Sequence, residues 1–185
     1  MNNREEKLDK FVKKRDFGKT SEPDGREASL EWAKDRPVFI VQKHAASTLH
    51  YDFRIEVDGV LKSWAVPTED HPLEYGDFEG SIPEGEYGGG TVLLWDRGSY
   101  RNLKEDPGSN PLSKQIEDGR ITIWLEGRKL KGGFALIRTG KSSKARWLLV
   151  KMNDEEADAQ RNPTATEPDS VKTGRSLEEI RDSGE

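Results

Sequence analysis

Two of the three histidines in this sequence stand close together, in the run Gln42-Lys43-His44 and, after five intervening residues, His50-Tyr51-Asp52-Phe53-Arg54. In a strand, alternate side chains share a face, so His50, Asp52, Arg54 and Glu56 point one way and Tyr51, Phe53, Ile55 and Val57 the other. The second set is apolar and belongs to a core. The first lines up a neutral metal ligand, a carboxylate and a guanidinium, and His44, at the end of the preceding strand, can swing over the same face. Two imidazoles and one carboxylate hold a divalent transition metal and leave positions open for water or substrate. Arg54 adds a planar donor fork suited to a phosphate oxygen. A single histidine on a strand is ordinarily a satisfied surface residue; His44, His50 and Asp52 beside Arg54 read together as a metal centre that handles an anion.

The third histidine lies in Glu69-Asp70-His71-Pro72-Leu73-Glu74-Tyr75. Alone, Asp70-His71-Pro72 is a turn. Folded over the metal face, His71 can hydrogen-bond a phosphate oxygen or protonate a leaving oxygen, a task suited to a side chain that titrates near neutrality. Tyr75 can donate its hydroxyl to the same anion. Two histidines and a carboxylate on a β scaffold also suit a non-haem iron oxygenase, against which Arg54 and the basic stretch described below favour phosphate.

These side chains need a rigid frame, and from Pro37 onward the sequence shows short β-branched and aromatic runs separated by turn residues. Strands are expected near Val38–Lys43, His50–Val57, Val60–Val66, Thr91–Trp95, Arg120–Leu125, Leu130–Arg138 and Arg146–Met152. Asp58-Gly59 between two alternating runs is the strongest hairpin signal. Gly88-Gly89-Gly90 matches no phosphate-loop spacing and reads as a strand connector. The expected fold is all-β, a compact closed or nearly closed barrel over residues 37–152. Before it, residues 1–36 form an arm with one short helix around Leu8, Phe11 and Val12, ended by Thr20-Ser21-Glu22-Pro23-Asp24-Gly25. After it, residues 153–185 read as a flexible tail, with Ser176 capping a short helix through Ile180.

Composition narrows the chemistry. With 32% hydrophobic and 35% charged residues the core is modest. The sequence has no cysteine, which excludes a disulfide framework and a thiolate nucleophile and leaves nitrogen and oxygen as metal ligands. The first 36 residues are charged throughout, unlike a signal peptide, and no apolar run approaches the ~20 residues that span a bilayer. A cytoplasmic monomer with no membrane partner is expected. The net charge is −5, yet Arg128 to Lys151 carries eight Lys or Arg and no acid, so one face is a candidate basic surface.

Several longer motifs, in order, resemble the 3′-phosphoesterase domain of bacterial DNA ligase D and its free-standing relatives in bacteria and archaea. They are Lys14-Arg15-Asp16-Phe17 with Thr20-Ser21-Glu22-Pro23; Phe39 through His44 to Arg54; Leu61-Lys62-Ser63-Trp64-Ala65-Val66-Pro67; Glu69 to Tyr75; Asp77-Phe78-Glu79-Gly80 through Pro83-Glu84-Gly85 to Tyr87-Gly88; Trp95-Asp96-Arg97-Gly98; and Leu136-Ile137-Arg138-Thr139. The resemblance implies a compact β-barrel with manganese, or cobalt or zinc in its place, on His44, His50 and Asp52. It implies that Arg54, His71 and Tyr75 engage the phosphate while Arg15, Asp16, Glu22 and Glu69 support the site or the substrate end. The implied reaction removes a 3′-terminal ribonucleoside from a DNA or DNA/RNA primer–template by phosphodiester cleavage. It then removes the residual 3′-phosphate, leaving a 3′-hydroxyl for a polymerase or ligase in non-homologous end joining. One departure stands out. The family usually carries a further loop and strand, with a Lys and an Arg for the phosphate, where Pro67-Thr68 here runs directly into Glu69. Lys62, Arg97 and Arg138 are the candidates to replace those cations. The tail from Asn153 onward resembles the family's connection toward ligase modules, which keeps open a third reading, a non-catalytic module that binds DNA ends and recruits a ligase or an end-bridging partner; open metal positions weigh against it.

Overall fold

In the computed structural model the described residues are 3–26, 30–33, 36–64, 69–104, 111–140 and 146–184. Eight strands form one antiparallel sheet: β1 (Val38–Ala45), β2 (Leu49–Val57), β3 (Val60–Ser63), β4 (Gly80–Ile82), β5 (Gly90–Asn102), β6 (Arg120–Gly127), β7 (Lys131–Thr139) and β8 (Arg146–Lys151). Their order is β3-β2-β1-β5-β6-β7-β8, with β4 paired to β5. The sheet curls until Trp64, just past β3, and Trp147, on β8, meet edge to face at 6.0 Å. This is the nearly closed barrel expected from the sequence, with its two edges bridged by aromatic side chains.

The period of two decides what fills the curl. Phe39 and Val41 of β1, Phe53, Ile55 and Val57 of β2, Leu93 and Trp95 of β5, Ile121, Ile123 and Leu125 of β6, and Phe134 and Leu136 of β7 make one interior cluster. The opposite, outer face of β1 and β5 is covered as well. Helix α1 (Asn3–Lys13) and a 3-10 turn over Leu73–Asp77 pack Phe11, Leu73, Tyr75 and Phe78 against Val38, Ile40, Val92 and Leu94. The sheet is therefore the middle of a sandwich where β1 crosses it, which is why β1 reads as apolar through Val41 with no polar alternation.

Strand β1 runs two residues beyond the expected Lys43 and so carries His44 itself. Strand β5 also continues well past the expected Trp95. The Asp96 carboxylate accepts the backbone N–H groups of Arg128, Lys129 and Leu130 at 3.0, 3.2 and 2.7 Å, so a residue that interrupts the apolar pattern ties β5 to the β6–β7 turn. Gly98 then passes so close to Glu126 that a Cβ would sit 2.2 Å from its carbonyl oxygen. Helix α2 (Leu112–Asp118) and β4 were not apparent in the sequence, being too short to show a period. Strand β3 ends at Ser63, one residue before Trp64, and Ala65 and Val66 of the expected Val60–Val66 run lie outside the described residues.

The expectation of a flexible tail is corrected by the packing. Val171 donates its N–H to Leu94, the Trp95 indole donates to the Glu167 carbonyl at 2.8 Å, and, beyond the one-turn α3 (Pro163–Thr166), helix α4 (Leu177–Ser183) sends Ile180 into the interior cluster. Ser176 caps α4 in a reciprocal capping box with Glu179, as its sequence position suggested. The tail's polar composition concealed two apolar anchors spaced widely along it. It also absorbs much of the expected basic surface: Lys129 reaches the Glu167 and Asp169 carbonyls, Arg128 the Val171 carbonyl, and Lys151 pairs with Asp154 at 2.6 Å. No helix among the described residues is long and apolar enough to cross a membrane.

Replacing Ile180 with alanine is expected to lower the unfolding free energy by about 2–5 kcal/mol in urea denaturation. A change under about 0.5 kcal/mol, the usual size of a surface substitution, would mean the tail lies beside the barrel without contributing to its core.

Candidate active site

The outer face of the β1–β2 hairpin carries the site. His44 and His50 are direct cross-strand partners, with ring centroids 4.9 Å apart. Asp52 follows two residues along β2 on the same face, its Oδ1 3.8 Å from His50 Nε2. One donor atom from each of His44, His50 and Asp52 lies within 4.8 Å of the others. Both rings are held from behind. His50 Nδ1 donates to the Thr48 carbonyl at 2.8 Å, and the His44 ring donates to the Gly88 carbonyl. His44 Nε2 is buried with no hydrogen-bond partner, and burial, then the adjacent His50, hold this imidazole below its ordinary pKa, so it is neutral.

An orphaned, buried, neutral ring nitrogen beside a second imidazole and a carboxylate is what a metal ligand looks like without its ion. The Gly88 carbonyl gives the triglycine connector its part: Gly90 opens β5 with φ at +137°, where a Cβ would sit 2.3 Å from the Ala45 carbonyl oxygen.

Arg54, two residues beyond Asp52, is buried and every nitrogen has a partner. Nη2 donates to Asp52 Oδ2 at 3.1 Å, Nε to Gln42 Oε1 at 3.0 Å, and Nη1 to Ser63 Oγ and to His71 Nδ1, the latter at 2.9 Å. Gln42 joins two layers, because its Nε2 also donates to the Tyr75 and Phe78 carbonyls at 3.0 and 3.1 Å. It thereby pins the 3-10 turn that covers the site. A short bridge between Leu61 and His71 brings the 69–71 segment onto the edge of β3.

The amino-terminal arm closes the other side. The Arg15 guanidinium lies 3.7 Å from the Phe11 ring and bonds Glu22 at 2.9 Å and Glu69 at 2.8 Å. Thr20 holds the second oxygen of Glu22, and Lys14 the second oxygen of Glu69 at 2.6 Å. Phe11 itself meets His71 and Tyr75 edge to face, at 5.0 and 5.7 Å. Burial, and then the charge of Arg54, drive the His71 pKa well below its usual value. Burial, and then Glu22, raise that of Tyr75, which stays a phenol.

Of the residues singled out in the sequence, Arg15, Glu22, His44, His50, Asp52, Arg54, Glu69, His71 and Tyr75 line one cavity of about 490 Å3. Asp16 is not among them; it is exposed, 3.5 Å from Lys19, and accepts the Gly18 N–H. Nor are Lys62, Arg97 and Arg138, which are occupied by Asp70, Asp77 and the Glu117 carbonyl respectively. The Pro67–Thr68 junction lies outside the described residues. Sequence reading gave no role to Gln42, Ser63 or Thr20; Gln42 alone left a signal, an amide on the His44 face of an otherwise apolar strand. The cavity wall sets two guanidinium groups against Glu22, Asp52 and Glu69, with Lys14 paired to Glu69 beside it. A divalent cation at the donor set would add positive charge to this balanced wall and favour an anion.

The family model of the DNA ligase D 3′-phosphoesterase domain matches residues 42–138, from Gln42 through Arg138. The multifunctional non-homologous end joining protein LigD of Pseudomonas aeruginosa is 43% identical over 92% of this chain, which spans 22% of that protein. The LigD proteins of Mycobacterium tuberculosis and Mycolicibacterium smegmatis are 39% and 40% identical over 81% of the chain, which spans 20% and 21% of them. The chain thus corresponds to about a fifth of each of these relatives. It belongs to the DNA ligase D 3′-phosphoesterase domain family.

Proposed function

We propose that this protein is a manganese-dependent phosphoesterase of nucleic acid 3′ ends, acting in DNA end joining. It cleaves the phosphodiester of a 3′-terminal ribonucleoside on a DNA or DNA/RNA primer end and then the remaining 3′-phosphate. The observation that carries this reading is one cavity wall on which a His44–His50–Asp52 donor set and the Arg54 fork are joined through Asp52. His44, His50 and Asp52 would hold the ion, and cobalt or zinc suits the same donors. When bound, such an ion supplies Lewis acidity toward a phosphoryl oxygen. The Arg54 fork, bonded to Asp52 of the donor set and suited to a phosphoryl oxygen, favours this reading over an iron oxygenase.

Arg54 directs its fork at the phosphate while Asp52, Gln42 and Ser63 keep it from swinging away. His71 acts as a neutral donor. The Glu69 carbonyl, 3.0 Å from Nδ1, competes for the opposite tautomer, but a guanidinium always donates. Nδ1 therefore accepts from Arg54, and the ring proton on Nε2 is free for a phosphoryl oxygen. The titration near neutrality expected from the sequence is displaced by burial, so His71 does not start the reaction as an imidazolium. Tyr75 donates its hydroxyl to the same group. Glu22, Glu69 and Arg15 fix the arm that walls the cavity, and Asp16 acts at its outer end. DNA ends and the ligase, polymerase and end-bridging proteins of end joining are the proposed partners of a cytoplasmic monomer.

A labelled primer–template ending in one ribonucleotide, digested with manganese, tests the reading. Conversion is expected, with 3′-phosphate accumulating before 3′-hydroxyl, since neither Lys62, Arg97 nor Arg138 reaches the cavity. His50→Ala should lose more than the about 10–100-fold that removing an outer-sphere partner costs. No product from folded protein with metal bound would leave the end-binding module as the better account.

His71 predicts a pH dependence of stability in metal-free protein. The unfolded imidazole takes a proton near its ordinary pKa of 6.5 and the folded one does not, so folding weakens as pH falls through 6.5. Between pH 7.5 and 5.5, urea unfolding of the wild type should lose about 1 kcal/mol more than that of His71→Gln. Equal losses would mean that the folded ring is protonated.

A further inference from the structure

The cavity is larger than a phosphate needs. Besides the charged groups, Ala46, Ser47, Thr48, Ile82, Tyr87 and Gly88 line it. Its volume of about 490 Å3 falls within the range of pockets that enclose small organic ligands. Of the two tyrosines in the lining, Tyr87 is 38% exposed, whereas Tyr75 is buried among Phe11, His71 and Phe78.

Tyr87 is also held in register with the metal ligands, because the carbonyl of the next residue, Gly88, fixes the His44 ring. The turn that carries it is closed by two backbone bonds, Glu86 N–H to Pro83 and Gly89 N–H to Glu86. Two cations stand over its ring, Lys14 at 4.4 Å and Arg15 at 5.2 Å, and its hydroxyl accepts from Lys14 at 3.1 Å. A partly exposed ring, anchored at its hydroxyl end and facing a cavity beside a phosphate site, is a platform for a nucleobase. Stacking on such rings contributes about 1–3 kcal/mol per base and is indifferent to base identity, as an enzyme acting on any strand end requires.

We propose that Tyr87 is the stacking platform for the base of the 3′-terminal nucleoside, the unit that leaves in the diesterase step. This rests on the reading of the site as a 3′-end phosphoesterase. The bland alternative makes Tyr87 a strut that holds Lys14 through its hydroxyl. Tyr87→Phe separates the two, since it keeps the ring and removes the hydrogen bond.

The test uses the full chain and a primer–template whose 3′-terminal ribonucleotide carries 2-aminopurine, with chelator present so that no cleavage occurs. Stacking quenches this base, so wild type and Tyr87→Phe should quench it on binding while Tyr87→Leu binds without quenching. With manganese restored, Tyr87→Leu should slow removal of the terminal nucleoside by about 5–150-fold, the factor equivalent to the stacking energy. On a primer ending in an abasic ribose it should match the wild type. Unquenched binding by the wild type, equal slowing on the based and abasic ends, or Tyr87→Phe behaving as Tyr87→Leu would each overturn the proposal while leaving the phosphoesterase reading intact. Absence of both binding and cleavage by the wild type on every end would overturn that reading, and this proposal with it.

Discussion

A guanidinium with 4% of its surface exposed must recover inside the protein the hydrogen bonds it gives up to water, or the cost of burying its charge exceeds anything its contacts return. Arg54 meets that constraint with four side chains from four places in the chain: Gln42 on β1, Asp52 on its own strand, Ser63 on β3 and His71 beyond the hairpin. Satisfying one side chain therefore sets the register of β1 against β2, the length of β3, and the docking of the 69–71 segment on its edge. Gln42 carries the constraint outward to the turn over Tyr75. The charge that folds this corner also lines the cavity beside the His44–His50–Asp52 cluster, so the most demanding group of the fold is part of the candidate site.

The second layer follows from the first. A buried cation and an array of metal donors on the outside of a barrel would normally face water; here α1 and the arm behind it enclose them. Phe11 supplies an apolar surface to His71, Tyr75 and Arg15 together. Arg15 in turn is neutralised by Glu22 and Glu69. Such buried ion pairs contribute little net stability, but leaving one member unpaired is costly. The arm is consequently fixed in one position, with its carboxylates in the cavity wall.

Sequence reading recovered the parts that obey a local period. The alternation of β2 placed His50, Asp52 and Arg54 on one face and Phe53, Ile55 and Val57 in the core, and the Asp58-Gly59 turn fixed the hairpin. The metal donors and the arm residues Arg15 and Glu22 were legible in the same way or through family motifs. What stayed hidden depends on contacts far apart in sequence. Ile180 and Val171 dock a tail whose composition looks disordered, the Asp96 carboxylate extends β5 through a stretch that reads as a break, and Gln42 joins two layers that no pattern within β1 announces. The basic stretch misled for a related reason: Arg128 and Lys129 face backbone carbonyls of the tail, which carry no sign of themselves in a side-chain sequence.

We propose that His44, His50 and Asp52 form one metal centre on the outer face of the hairpin, directly beside Arg54. Anomalous diffraction at the manganese edge, from crystals grown with that ion, decides it. One peak is expected within bonding distance of His44 Nε2, His50 Nε2 and an Asp52 oxygen, absent in Asp52→Ala. A peak held instead by Glu22 and Glu69, or no peak in well-ordered crystals with the three donors free, would contradict it.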